Sequence, residues 1–328
     1  MKKWLSVLLV VVLMMSVLVG CSKPAETKTE PKNEGPQVYR VAYIARAQAD
    51  SFAAWLANAV KEEAEKYDNI VVDIFDGQAN DSTQNALIEN AITSKYDAII
   101  IQPNNGEAQR PYAEKAVAAG IITITTNARI DGIEGASSVD ADPYAQAAVN
   151  AVVAIDQIPQ NANVVVLNGP PGNFHADARR VSWQKEFFEK RPDVKIVGEE
   201  IANWNKDEAM NYMETWVQAN SKIDAIIAMN DNMAAGALEV VKGDARFANI
   251  LAYGVDGTAE AVLLIKEGLM TSTSLQSAYE LATNLLATSH KLLTGEETKI
   301  DMDIDCPLIN IDNVDEFIEM HKRAGAIR

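Results

Sequence analysis

The sequence predicts an α/β protein made of two doubly wound, parallel-sheet, Rossmann-like lobes. Three observations lead there. Short apolar runs of strand length alternate with helical patterns, which requires parallel sheets covered by helices. The run Ile223–Met229 is apolar almost throughout, as in a strand buried on both faces, and stops at Asn230, Asp231 and Asn232 before a helical pattern begins. The phrase recurs: Lys95–Asn105 matches Lys222–Asn232 at the Lys, the Asp, the Ala, two Ile and the last Asn. Copies so far apart point to two similar halves, not to a short solenoid repeat.

The first half opens on a strand, Val38–Ala45, and a loop from Arg46 to Ser51. A helix follows from about Phe52, with Trp55, Leu56, Ala59 and Val60 at helical spacing. Ile70–Phe75 is a strand, and Asp81, Ser82 and Thr83 open a helix carrying Ala86, Leu87, Ala91 and Ile92. Asp97–Ile101 is a strand, Ala108–Ala119 a helix closed by Gly120 as C-cap, and Ile121–Thr126 a strand that stops at Asn127, Ala128 and Arg129. The second half starts at Asp142 and Pro143, a proline suited to a first helical position. Its strands are Asn163–Leu167, Val194–Ile201, Ile223–Met229 and Ile250–Tyr253, with helices near Ala176–Lys190, Asp207–Ala219 and Met233–Lys242. After Asp256 and Gly257 come a helix, the strand Met270–Leu275, the helix Ala278–Leu293, one short strand Ile304–Ile311 and a last helix from Val314. Asp231 or Asn232 is expected to cap the helix after Met229.

The amino terminus reads as a targeting segment. Lys2 and Lys3 precede an apolar run, Trp4–Val19, shorter than the ~20 residues of a spanning helix. Ser22–Gln37 carries three prolines and no core-forming residue, the composition of a flexible tether. The net charge of −17 disfavours nucleic acid or anionic lipid as partner. Cys21 and Cys306 are the two cysteines, and no disulfide framework is implied. The sequence offers no metal cluster, Gly-rich phosphate loop or nucleophile elbow, so no metal and no cofactor are expected.

Leu18-Val19-Gly20-Cys21 resembles a bacterial lipobox, which implies cleavage before Cys21, lipid on its thiol and a station on the outer face of the cell membrane. A plain signal peptide or an uncleaved anchor is the alternative. The chain from Val38 to Ile311 resembles the solute-binding proteins of bacterial ABC sugar importers, the group with the ribose- and galactose/glucose-binding proteins. The specific pieces are Asn230–Leu238 and Tyr253–Glu260. The resemblance implies the type I periplasmic binding protein fold, a monomer of two lobes joined by a three-segment hinge, with crossovers near Asp140–Asp142, Gln276–Ser277 and Cys306–Leu308. The lobes are then 38–140 plus 277–306, and 141–276 plus 307–328. It further implies a non-enzymatic function, in which a monosaccharide or polyol is enclosed between the lobes and passed to a membrane permease.

Such a ligand carries hydroxyls that donate and accept, and apolar C–H faces. Its site needs carboxylates, amides and guanidinium groups aimed inward, with flat aromatic surfaces. The resemblance carries that role onto Arg46, Asp50 and Phe52 after the first strand, and onto Asn127 after the strand ending at Thr126. Ala128 stands where the family has Arg or Lys, so Arg129 compensates or the ligand differs there. On the loop and helix after Leu167 the candidates are Asn173, His175, Asp177 and Arg179. Trp204, Asn230, Asp256 and the crossover residue Gln276 complete the set. The stretch Asp156–Asn163 lacks the alternating acids of the galactose branch, so no calcium is expected there. Two other readings stay open: a receptor for a nucleoside or signalling furanone, and a glycosidase-like enzyme using Asp50 and Asp256. A sugar-responsive repressor has the same fold but needs a helix-turn-helix before Val38, where the targeting segment and tether stand.

Overall fold

The structure is a computed structural model that describes residues 37–327; the targeting segment, Cys21 and all but the end of the tether lie outside the described residues. In chain order the elements are β1 (Tyr39–Ala45), α1 (Ser51–Ala64), β2 (Ile70–Asp76), α2 (Asp81–Thr93), β3 (Ala98–Ile101), α3 (Gly106–Ala118), β4 (Ile122–Thr125) and β5 (Ser137–Ala141). Then come α4 (Pro143–Gln157), β6 (Asn163–Asn168), α5 (Phe174–Trp183), β7 (Lys195–Ile201), α6 (Lys206–Ala219), β8 (Ala225–Ala228), α7 (Asp231–Val241) and β9 (Leu251–Asp256). The chain closes with α8 (Ala259–Lys266), β10 (Ser272–Leu275), α9 (Ala278–Leu293), β11 (Asp301–Ile304), β12 (Leu308–Asn310) and α10 (Val314–Arg323).

Two six-stranded sheets result, ordered β11-β5-β4-β3-β1-β2 and β12-β10-β9-β8-β6-β7. Neighbouring strands are parallel except β12, which runs antiparallel to β10. The fully buried runs Val41–Ala45, Ile99–Ile101 and Val164–Leu167 form sheet centres, since helices cover both faces. In the second lobe Trp183 meets Phe187 and Tyr253 edge to face, each at 5.6 Å between ring centroids. Helix α4 joins that core through Ala147, Ala151 and Ala154, whereas α9 packs in the first lobe through Leu281, Leu285 and Leu286. The chain therefore passes from sheet to sheet after β5, after β10 and after β11.

Two expectations are corrected here. Ile304–Ile311 is not one strand. Its ends belong to opposite sheets, as β11 and β12, because Asp305, Cys306 and Pro307 form a crossing between the lobes. The strand β5 went unforeseen, because Ser-Ser-Val-Asp-Ala is too short and polar to show strand periodicity.

Helix α7 contains Gly236, where alanine would favour the helix by ~1 kcal/mol. A Cβ there would stand 2.4 Å from the carbonyl oxygen of Lys206, at the start of α6. The glycine keeps α6 and α7 in close contact. Gly236→Ala is expected to destabilise the fold by ~1–3 kcal/mol despite its helix propensity, measured by urea denaturation. A stability gain would contradict this packing.

Candidate functional site

The carboxyl ends of the two sheets face one another across a cleft, the edge at which open α/β sheets bind ligands. A small cavity lies between them. The first lobe lines it with Arg46, Asp50, Phe52 and Asn127, the second with Asn173, His175, Arg179, Trp204, Asn230 and Asp256. Ten of the sequence candidates thus meet in one place, and apart from Phe52 and Trp204 all are polar or charged. The lobes touch at the rim, where the Gly106 amide donates to the Gly172 carbonyl (3.2 Å) and the Asn173 side chain to the Asn104 carbonyl (3.2 Å).

Several of these residues are helix caps as well. Asp50, Asn173 and Asn230 cap α1, α5 and α7, each accepting a first-turn amide with one side-chain oxygen. The amide nitrogen of Asn230 is left as a donor, and that of Asn173 keeps one N–H beside the bond it gives to the Asn104 carbonyl. The cap of α7 is Asn230, not Asp231 or Asn232. Asp231 turns inward instead and accepts from the Thr273 hydroxyl (2.6 Å) and the Thr258 amide (2.8 Å). Asn232 donates to the Trp204 carbonyl at 2.9 Å, fixing the loop that carries the indole.

Charge in the wall comes in opposed pairs. Arg46 meets Asp50 at 2.9 Å, and Arg179 faces Asp256 at 3.7 Å. Burial pushes the Asp256 carboxyl well above its ordinary range, with Arg179 opposing the shift. Burial likewise pushes Asp231 up to about 7. His175 Nε2 donates to the Asp140 carboxylate at 3.0 Å, and its Nδ1 accepts from Arg179 at 3.2 Å. The imidazole is therefore neutral, with the proton on Nε2. Burial lowers its pKa, and Arg179 and Arg129 lower it further against the pull of Asp140.

The backbone is strained where it presents these groups. Asn127, Ala128, Trp204 and Asp256 all have positive φ, at 47°, 104°, 63° and 124°. Such conformations persist only where the surroundings over-determine them. Asp140 does so for one turn, accepting from the amides of Ala128 (3.3 Å) and Arg129 (2.8 Å).

Asp177 and Gln276 do not line the cavity. Asp177 is exposed and outside the cavity wall, because it lies two residues, or ~200°, around α5 from both His175 and Arg179. Gln276 is buried one layer behind the wall, its oxygen accepting from Gln146 and Arg179. Arg129 does not compensate for Ala128. Its guanidinium pairs with Asp303 and Asp131 and covers the Phe174 ring of the opposite lobe at 5.4 Å. Sequence reasoning missed the supports. Buried Gln102 donates to the Asn127 side chain (2.6 Å) and accepts the Arg46 amide (2.9 Å). Gly169 leaves room for the Trp204 ring, which a Cβ would meet at 2.2 Å. Only the glycine carried a local signal, in Gly169-Pro170-Pro171-Gly172.

The family model described as periplasmic binding protein domain matches residues 41–297. The xylitol-binding protein of Mycolicibacterium smegmatis is 32% identical over 248 residues, 75% of this chain and 70% of the relative. The ribose import binding protein of Bacillus subtilis is 26% identical over 309 residues, 94% of this chain and 98% of the relative. Among solved structures, an ABC transporter periplasmic solute-binding protein of Actinobacillus succinogenes with bound D-allose superimposes with a TM-score of 0.76 and 27% identity. It covers 85% of this chain and 99% of that one.

Gly169→Ala is expected to push the Trp204 indole out of the cavity wall. The tryptophan emission of the ligand-free protein then moves to longer wavelength, while the same change in a Trp204→Phe background leaves emission in place. An unmoved spectrum in the first case would refute the contact.

Proposed function

The chain belongs to the periplasmic binding protein domain family, and from that premise we propose that a neutral pentose, hexose or polyol of like size fills its cavity. The protein is a sugar- or polyol-binding component of an ABC importer and not an enzyme. The observation that carries the neutral ligand is that both guanidinium groups of the wall are already engaged, Arg46 by Asp50 at 2.9 Å and Arg179 by Gln146, Gln276 and the Met229 carbonyl, with Asp256 3.7 Å away. A sugar acid or sugar phosphate would bring an uncompensated charge into that space, at a cost of several kcal/mol. Hydroxyls suit the asparagine amides and the paired carboxylates, and C–H faces suit Phe52 and Trp204, one from each lobe. The relatives that bind xylitol, ribose and allose support the same ligand class.

The ligand joins groups of both lobes, so it stabilises the closed form by the contacts it gains on closure. The closed protein is then the species a permease receives. On our reading the body is held at the membrane by lipid on Cys21, with Ser22–Gln37 as a tether and the folded part beginning at β1.

Isothermal calorimetry with xylitol, D-ribose, D-allose and myo-inositol is expected to show tight binding of at least one. D-glucuronate and ribose 5-phosphate are expected to bind at least about a hundredfold more weakly than the neutral sugar preferred, a ~2.7 kcal/mol penalty. Preference for a charged sugar, or binding of none of the neutral four, would overturn the proposal.

Binding should also depend on acid. The charged imidazole is disfavoured in the closed cavity, so His175 binds its proton better in the open form. Affinity is then full above histidine's ordinary pKa of about 6.5 and weakens as pH falls below it, by at most about tenfold per unit for one proton. His175→Asn, which cannot titrate, should remove this slope between about pH 5 and 6.5. An identical slope in the variant would assign it elsewhere.

A further inference from the structure

Gln146 does not line the cavity, yet it is fully buried behind it, near the start of α4 and just past the first crossing between the lobes. Its side-chain oxygen accepts twice from Arg179, from Nε at 3.0 Å and from Nη2 at 2.8 Å. Its amide nitrogen donates to Gln276 Oε1. Gln276 sits on the second crossing and also accepts from Arg179 Nη2 at 3.3 Å. The remaining guanidinium contacts are the Met229 carbonyl at 2.7 Å and His175 Nδ1 at 3.2 Å.

A buried guanidinium has five N–H donors in a rigid plane, and each one left unpaired is costly. Here neutral acceptors, the oxygens of Gln146, Gln276 and Met229 and the ring nitrogen of His175, meet Nε, Nη1 and Nη2, and the carboxyl of Asp256 is 3.7 Å away. The two bonds to Gln146 fix the rotation of the guanidinium plane about Nε. That plane also lies over the Trp204 ring at 5.6 Å. Arg179 is thus aimed by two glutamines rooted beside the segments about which the lobes turn.

We infer that Gln146 is a positioning residue. It orients Arg179 for the bound sugar and ties that orientation to the hinge through Gln276. The inference rests on the sugar-binding reading above. Gln146 and Arg179 are held within the second lobe, whereas Gln276 stands on the crossing after β10, so a change of backbone angles there moves the Gln276 side chain against Gln146 and the guanidinium loses its alignment. The arginine then presents its binding geometry only when the hinge is closed. The side-chain nitrogen of Gln276 has no partner. A turn of that amide would let it serve a carboxylate placed at position 146.

A double-mutant cycle tests this, with xylitol, D-ribose, D-allose and myo-inositol as probes. Gln146→Met keeps the size and removes both polar atoms. It is expected to weaken the best-bound probe at least about tenfold, ~1.4 kcal/mol, within the ~0.5–3 kcal/mol of coupled neighbours. In an Arg179→Ala background the same change is expected to alter affinity less than about twofold. Gln146→Glu, which retains an acceptor for Arg179, should restore binding to within about threefold of the original. Thermal melting of the ligand-free variants identifies those that fold. If the methionine variant does not fold, Gln146→Asn, one methylene short, replaces it with the same expectation. Equal losses in both backgrounds, or no loss from Gln146→Met, would overturn the inference while the sugar reading stands. Failure of the unaltered protein to bind any of the four probes would remove both.

Discussion

The structure turns on one buried chain of hydrogen bonds that crosses between the lobes: Asp140, His175, Arg179, and then Gln146 with Gln276. Asp140 belongs to β5 of the first lobe and His175 to α5 of the second, so their 3.0 Å bond exists only when the lobes are together. A carboxylate and a guanidinium this deep would each cost several kcal/mol alone. Neutral groups resolve the problem. His175 gives a proton to one charge and a lone pair to the other, and the glutamine oxygens take most of the remaining guanidinium donors. Although the burial of Asp140 opposes ionisation, His175 and the amides of Arg129 and Ala141 hold its carboxyl below the ordinary range.

The same economy governs the wall. A helix that starts at a strand's carboxyl edge needs an N-cap, and a ligand at that edge needs polar side chains. Asp50, Asn173 and Asn230 meet both needs, because a cap uses one side-chain oxygen and leaves the rest of the group. Capping and ligand binding are therefore compatible readings of these residues. The triplet Asn230, Asp231 and Asn232 divides its labour in the same way. One residue caps and faces the cavity, one ties β10 to the turn after β9, and one holds the backbone of Trp204.

Much of this was legible in the residues. Strand and helix alternation gave the architecture, and the match of Lys95–Asn105 to Lys222–Asn232 marked β3 and β8, at corresponding places in the two sheets. What escaped has a common physical cause. Gln102 and Gln146 are polar residues whose partners lie far along the chain, so no local pattern announces them. Asp177 stands off the wall because residues two apart on a helix face away from each other, and α5 turns His175 and Arg179 inward. The strand at 304–311 was misread because a crossing between lobes keeps the apolar character of both strands it connects.

Besides the buried His175–Asp140 bond, the described residues of the two lobes meet through a few groups, and this has a consequence for function. At the rim the described residues meet through Gly106 with Gly172, Asn104 with Asn173, and Arg129 over Phe174. Beside the cleft, Trp55 packs on His321 with ring centroids 5.1 Å apart. Each such hydrogen bond adds ~0.5–1.5 kcal/mol net, and closure sets it against the freedom the open lobes lose and the water that wetted the polar wall. A protein that closed firmly on its own would seal an empty cavity and exclude its ligand. One whose lobes hold each other weakly leaves the decision to the molecule between them, since that molecule can bond Asn127 and Arg46 on one side and Arg179 and Asn230 on the other. Opening and closing thus stay balanced within the few kcal/mol that a small polyol can supply.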